Sequence, residues 1–227
     1  MPRISRIFTK EGVFHILSRG NNRQKVFRDI DDYTAYLNLL KKYKQEHRFR
    51  LYHYCLMPNH VHLIIESTKD TDLSRLMKQL NIAYLCHYRK RYGYCGHFWQ
   101  DRYKSLLISK DEYLITAGRY IELNPVKAKI VSQPKDYAWS SYNAYAYGKK
   151  DGLTDYSPIY LEMGATDMER QKNYRKDILK ESKTAALNLN VRFFGSKEFI
   201  SQMEEEFQVK NTQARRGRPK RDNKHSI

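Results

Sequence analysis

Two apolar runs, Arg50 to Met57 and His60 to Glu66, are separated by nothing but Pro58-Asn59. Runs rich in Leu, Ile, Val and Tyr joined by so short a polar turn leave little choice beyond a β-hairpin. What flanks the hairpin restricts the fold further. Val13 to Ser18 reads as a preceding strand, and Asp29 to Asp32 offer N-caps for a helix in which Tyr33, Tyr36, Leu37, Leu40 and Tyr43 recur at helical spacing through about His47. After the hairpin, Leu73, Leu76, Met77, Leu80 and Tyr84 mark a second helix, capped near Thr71 or Asp72 and stopped at Gly93, with Arg75, Lys78 and Gln79 on its other face. Phe98 to Ile108 reads as a fourth strand. Ser109-Lys110-Asp111-Glu112 reads as a capping box for a third helix that ends near Asn124, before Pro125.

The order β-α-β-β-α-β plus one helix predicts an α+β fold, a ferredoxin-like antiparallel sheet with two helices on one face and the third helix across the other. Beyond residue 150 the pattern becomes helical and charged, with helices expected over Glu169 to Glu181 and Ser196 to Phe207. The expected organisation is a domain over 1–150, a helical appendage over 151–209 and a disordered basic tail over 210–227.

Charge defines the partner class. Forty-two Lys and Arg stand against 25 Asp and Glu, a net +17 in 227 residues with a pI near 9.7. Residues 210–227 hold seven of those cations against one Asp, which leaves 35 against 24, or +11, on residues 1–209. A body that is itself basic attracts polyanions, nucleic acid first among them. The longest uncharged stretch, Leu51 to Ile65, is 15 residues, too short and too polar for a membrane span, and the N-terminus lacks a signal-type apolar run. Cys55, Cys86 and Cys95 form no Cys-x-x-Cys pair, and Cys86, His87, Cys95 and His97 lack paired zinc-knuckle spacing, so neither a disulfide framework nor a zinc site is expected; a reducing cytoplasm is.

His60-Val61-His62 carries the chemistry. In a strand its two imidazoles share one face while Val61 and Leu63 share the other, so a divalent cation can be presented with two neutral nitrogens. The same pair suits a solvated face. On the third helix Tyr120 and Asn124, four apart, place a phenol and an amide side by side, although Tyr113, Ala117 and Tyr120 also suit a buried stripe. A phenol is a poor nucleophile unless a metal polarises its target.

Over residues 7–145 the chain resembles the HUH single-tyrosine nucleases, and within them the REP-associated tyrosine transposases related to small insertion-sequence transposases. The resemblance rests on Arg19-Gly20-Asn21-Asn22-Arg23, Met57-Pro58-Asn59-His60-Val61-His62, Phe98-Trp99-Gln100-Asp101-Arg102-Tyr103-Lys104-Ser105 and Arg119-Tyr120-Ile121-Glu122-Leu123-Asn124-Pro125. It implies a single-strand DNA endonuclease and strand transferase in which Tyr120 attacks a backbone phosphate, giving a 5′-phosphotyrosine and a free 3′-OH. His60 and His62 would hold Mg²⁺ or Mn²⁺. Insertion-sequence relatives usually carry Gln four residues after the tyrosine; here Asn124 takes that place, with Glu122 as the fallback ligand.

The resemblance also implies recognition of a hairpin with a single-stranded flank, as in repeated extragenic palindromes, with Arg19, Asn21, Asn22, Arg23, Arg102 and Lys104 as contacts. A monomer is expected, although insertion-sequence relatives exchange the tyrosine helix within dimers. Arg216-Gly217-Arg218-Pro219 is similar to an AT-hook core, so Arg216 and Arg218 join the expected DNA contacts in a nucleoid-associated cytoplasmic protein. Two rivals stay open: a noncatalytic nucleic-acid-binding module on the same sheet, and a hydrolase that uses the histidines with water in place of Tyr120.

Overall fold

The structure, a computed structural model, describes residues 6, 7, 9, 11–178, 187, 188 and 190–212. Arg216 and Arg218, and all but the first three residues of the expected tail, lie outside them.

Strand β1 (Gly12–Arg19) leads through a short 3-10 turn to α1 (Ile30–His47); the hairpin β2 (Arg50–Met57) and β3 (His60–Ser67) follows, then α2 (Leu73–Tyr92) and β4 (Lys104–Ile108). Asp29 caps α1 by accepting from the amides of Asp31 and Asp32. Asp72 caps α2, which ends at Gly93 in the left-handed conformation (φ 60°) that a residue without Cβ adopts freely. The strands pair in the order β2-β3-β1-β4, antiparallel throughout, which is the expected ferredoxin-like arrangement.

Alternation along the strands divides the core. Phe14, Ile16, Leu56, Val61 and Leu63 meet Tyr36, Leu40, Leu76 and Leu80 of α1 and α2 on one face. Each fully buried Leu or Ile there contributes roughly 2 kcal/mol. Val13, Cys55, Met57 and Ile64 line the other face beneath α3 (Glu112–Glu122). A bulge between Leu51 and His53 puts two successive side chains of β2 on this second face: Tyr52 joins its apolar cluster, and His53 meets Gly118 and Glu122 of α3. Buried Asp32 ties α1 to α2, accepting from the hydroxyl of Tyr92 and pairing with Arg91.

The chain then runs through α4 (Asn124–Lys127), α5 (Tyr142–Tyr147), α6 (Pro158–Leu161), α7 (Asp167–Ile178), β5 (Phe193–Phe194) and α8 (Lys197–Glu206). Tyr142, Tyr145, Tyr160, Tyr174 and Ile178 pack with Ile115 of α3 into a third cluster.

Four expectations need correction. The fourth strand begins at Lys104, not Phe98, because the aromatic run before it is spent pinning a loop: Trp99 makes only an isolated bridge to Gly20. The cap of α3 is Asp111, whose carboxylate accepts from the amide of Tyr113, while Ser109 donates its hydroxyl to that carboxylate. The third helix does end near Asn124, at Glu122, but Pro125 is not a stop: it sits in the first turn of α4, where a missing N–H costs nothing. The sheet is mixed and five-stranded, since β5 runs parallel to β4 and covers its outer edge. Residues 211 and 212 extend this addition, Asn211 accepting from the amides of Arg192 and Phe193 and Thr212 bridging Val191.

Candidate active site

Three of the four sequence motifs meet at one end of the sheet. Arg19, the last residue of β1, pairs with His60, the first of β3. The Gly20 amide donates to the Asn59 carbonyl (2.9 Å), and the Asn21 amide donates to the Phe98 carbonyl (2.7 Å). The Gln100 amide donates to the Arg19 carbonyl (2.8 Å). Glycine is required at position 20, because a Cβ would lie 2.6 Å from the Gln24 carbonyl oxygen. Asn22 and Arg23 take positive φ (49° and 56°), so the loop turns back at once, and the Arg19 charge acts on both His60 and His62.

Strand alternation places His60 and His62 on the α3 side of the sheet, ring centroids 4.8 Å apart and nearly perpendicular. The fourth motif arrives on α3: the half-buried ring of Tyr120 stands edge-on to His62, centroids 6.2 Å apart, with the Lys127 ammonium 4.9 Å from the phenol ring centre. The Tyr120 ring therefore stands beside His62 instead of being lost among the buried tyrosines.

Both imidazoles are neutral. His60 Nδ1 lies 2.5 Å from Asn59 Oδ1, an acceptor only, so His60 carries its proton on Nδ1 and its lone pair on Nε2. His62 Nδ1 lies 2.8 Å from Nε2 of His15, a buried residue of β1 that sequence reasoning missed. The one signal for it was an imidazole inside the apolar alternation Val13, His15, Leu17. Burial, with the Arg19 charge adding to it, pushes His60 down to about 4; burial drives His62 well below its usual range and His15 to about 3. At neutral pH all three rings are uncharged.

This donor set fits a divalent cation: two imidazoles whose Nδ1 atoms are engaged and whose Nε2 atoms are free to ligate. Among the described residues no group of three His, Cys, Asp or Glu could hold a metal, so further donors must come from an amide, water or the substrate. Asn124 opens α4, and its Nδ2 donates to the Ile121 carbonyl (3.3 Å), which leaves Oδ1 as its unengaged donor; among the described residues no hydrogen bond ties it to either imidazole.

Glu122 is not a ligand. It is wholly buried on the other side of α3, accepting from His53 Nδ1 (2.9 Å), Ser141 Oγ (2.5 Å) and Tyr174 Oη (2.6 Å). Two residues along a helix is about 200° of rotation, so Tyr120 and Glu122 had to diverge. Arg119 pairs with Asp177 of α7, so the segment after residue 137 grips the helix that carries Tyr120.

Of the other expected DNA contacts, Arg102 donates its amide to the Asp101 carboxylate, and Lys104 opens β4 opposite Leu17 with its ammonium toward Asn190. Cys55 is buried and Cys86 and Cys95 are exposed, all three unpaired. Among the described residues no helix is long and apolar enough to cross a membrane.

Comparison with known proteins gives the same picture. The family model described as "Transposase IS200 like" matches residues 9–124, a span that holds the first three motifs and the fourth as far as Asn124. A Haemophilus influenzae protein named "Putative REP-associated tyrosine transposase" is 30% identical over 159 residues, covering 63% of this chain and 86% of that protein. Among solved structures, a REP-associated tyrosine transposase bound to a REP hairpin superimposes with a TM-score of 0.56 at 22% identity, covering 69% of this chain and 96% of the other; that likeness speaks to the fold.

Proposed function

Because this chain belongs to the IS200-like transposase family, an enzyme family, we propose that it nicks and rejoins single-stranded DNA with Tyr120 as its nucleophile and His60 and His62 as metal ligands. The observation that carries this reading is the placement of the Tyr120 ring against His62, with both imidazoles turned to offer Nε2.

The Tyr120 oxygen attacks a backbone phosphorus, giving up its proton to solvent. A new P–O bond forms to the phenol, the bond to the 3′-oxygen breaks, and that oxygen leaves as a 3′-OH after taking a proton. The fragment on the 3′ side of the cut stays attached through its 5′-phosphate as a phosphotyrosine, so a 3′-OH returning to the same phosphorus reverses the step with no energy input. His60 and His62, with the Asn124 amide oxygen as third donor, would hold a divalent ion, Mg²⁺ or Mn²⁺, which would neutralise the charge that grows on the phosphate oxygens. Half-burial limits water around the Tyr120 ring, and the Lys127 ammonium packs over the face of that ring.

The substrate class is DNA with a hairpin and a single-stranded flank, of the REP type that the structural neighbour holds. The support here is a +17 chain and the loop Arg19, Asn21, Asn22, Arg23 beside the histidines, with Arg102, Lys104 and the tail residues Arg216 and Arg218 as further contacts. Such a protein works on DNA in the cytoplasm. It acts as a monomer, since α3 is fastened to its own sheet and to its own α7 through Glu122 and Arg119. Within the chain, residues 1–150 form the nuclease, 151–209 an appendage that braces α3, and 210–227 a basic tail.

Incubation of labelled hairpin DNA with Mn²⁺ and then denaturation tests this. The wild type leaves DNA covalently on the protein, and Tyr120→Phe abolishes the adduct while keeping hairpin affinity. Cutting without an adduct would favour water as the nucleophile, and binding without cutting would leave a DNA-binding module.

A further inference from the structure

His15 sits mid-strand in β1, opposite Ile64 of β3 and Leu106 of β4, with 1% of its surface exposed. Its Nε2 lies 2.8 Å from His62 Nδ1, and the two rings are nearly parallel (11°) with centroids 5.0 Å apart, so they meet edge to edge as a hydrogen bond between ring nitrogens requires. Its other nitrogen, Nδ1, is buried without a partner. An imidazole in this position costs the fold free energy that an isosteric apolar ring would not, since one polar atom is left unsatisfied. What the ring does for its neighbour offsets that cost. His62 can offer Nε2 to a cation only when its own proton is on Nδ1, and a proton there, buried, needs an acceptor. His15 Nε2 is that acceptor. The proton of His15 is then on Nδ1, the orphaned atom.

We propose that His15 is a positioning residue for the metal site: by accepting the Nδ1–H of His62 it fixes the tautomer and ring plane in which His62 Nε2 faces the ion. Asn59 does the same for His60 through the 2.5 Å contact of its amide oxygen, so each ligand of the pair has its own orienting acceptor, one from the hairpin turn and one from the adjacent strand. The proposal rests on the reading of His60 and His62 as metal ligands.

The test measures Mn²⁺ binding directly, by the loss of the free-ion electron paramagnetic resonance signal, on the full chain without DNA. Wild type, His60→Ala/His62→Ala, His15→Phe and His15→Gln are compared, with hairpin DNA affinity as the control for folding. The double alanine variant loses Mn²⁺. His15→Phe keeps an aromatic ring at that place but lacks the acceptor, and binds Mn²⁺ about 10–100-fold more weakly. His15→Gln, whose amide oxygen can accept, recovers part of that loss. Mn²⁺ affinity of His15→Phe within about twofold of wild type would overturn the assignment to His15. Equal Mn²⁺ binding by wild type and the double alanine variant would instead overturn the metal site itself. A second readout needs no variant to fold: in Mg²⁺-loaded wild type, ¹⁵N–¹H correlation of the His62 ring shows the proton on Nδ1, and a proton on Nε2 would refute the proposal.

Discussion

Replacing Glu122 by Ala separates a structural role for this carboxyl from the ligand role that its sequence position invites. Glu122 accepts from three buried donors. Ser141 has other partners, for its hydroxyl also contacts the Tyr54 carbonyl (3.3 Å) and accepts from the Tyr54 amide (3.0 Å). His53 Nδ1 and the Tyr174 hydroxyl have no alternative among the described residues, and His53 already carries an unpartnered Nε2. Two stranded buried donors cost about 1–3 kcal/mol each, and the vacated volume adds about 1 kcal/mol. The expected loss is therefore roughly 3–7 kcal/mol, which at this chain length lowers Tm by about 6–28 °C. Glu122→Gln costs only about 1–2 kcal/mol, since an amide can still meet Tyr174 while His53 changes tautomer and the Ser141 hydroxyl rotates. Urea titration followed by tryptophan fluorescence gives the stabilities, and Mn²⁺ titration of the folded variants gives the affinity. A Glu122→Ala protein within about 1 kcal/mol of wild type, or one of full stability that has lost Mn²⁺, would refute the reasoning.

Three further outcomes are expected. Gly118→Ala gains about 1 kcal/mol of helix propensity, but its Cβ would stand 2.6 Å from the His53 ring, which is stacked on Tyr145 and bonded to Glu122 and so cannot give way; net destabilisation of about 1–2 kcal/mol is expected in the same urea assay, and a gain would show that α3 sits more loosely. In metal-free protein, stability falls as pH drops below 6.5, because the unfolded chain then binds protons that buried His15 and His60 refuse until about pH 3 and 4. Each of these histidines removes up to about 1.4 kcal/mol per pH unit, so about 2–4 kcal/mol is lost between pH 6.5 and 5, and His15→Phe shrinks that drop where a flat profile would contradict it. Removing residues 213–227, which carry six Lys or Arg, lowers the slope of log affinity for hairpin DNA against log salt by about 0.9 for every phosphate that the tail neutralises; an unchanged slope would exclude the tail from binding.

The parts of this molecule that sequence reveals are those written in local pattern. The Pro58-Asn59 hairpin, the Asp29 and Asp72 caps and the Gly93 stop are each dictated by neighbours within a few residues, and the structure has them where the spacing puts them. The histidine pair and Tyr120 were legible as chemistry because alternation and helical spacing fix their faces. Phe98 to Tyr103 was misread because an aromatic run has the same composition whether it pairs in a strand or anchors a loop; Trp99 does the latter, donating its indole N–H to the Asn81 carbonyl. Glu122 was misjudged because its partners, His53, Ser141 and Tyr174, come from β2, the start of α5 and α7, and their meeting depends on a bulge that no local signal announces. His15 was missed for the same reason: a single histidine in a strand has no spacing, and only the strand register brings it to His62.

The central claim is that the Tyr120 oxygen is the atom that becomes bonded to DNA. Trypsin cuts after Arg119 and after Lys127, so the peptide from Tyr120 to Lys127 isolates this tyrosine among the nineteen in the chain. Wild-type protein incubated with Mn²⁺ and hairpin DNA, digested with trypsin and nuclease, should yield that peptide with a nucleotide attached to its tyrosine through a 5′-phosphate, and incubation without Mn²⁺ should yield it bare. Nucleotide on a different peptide, or cleaved DNA with no peptide modified, would contradict the account.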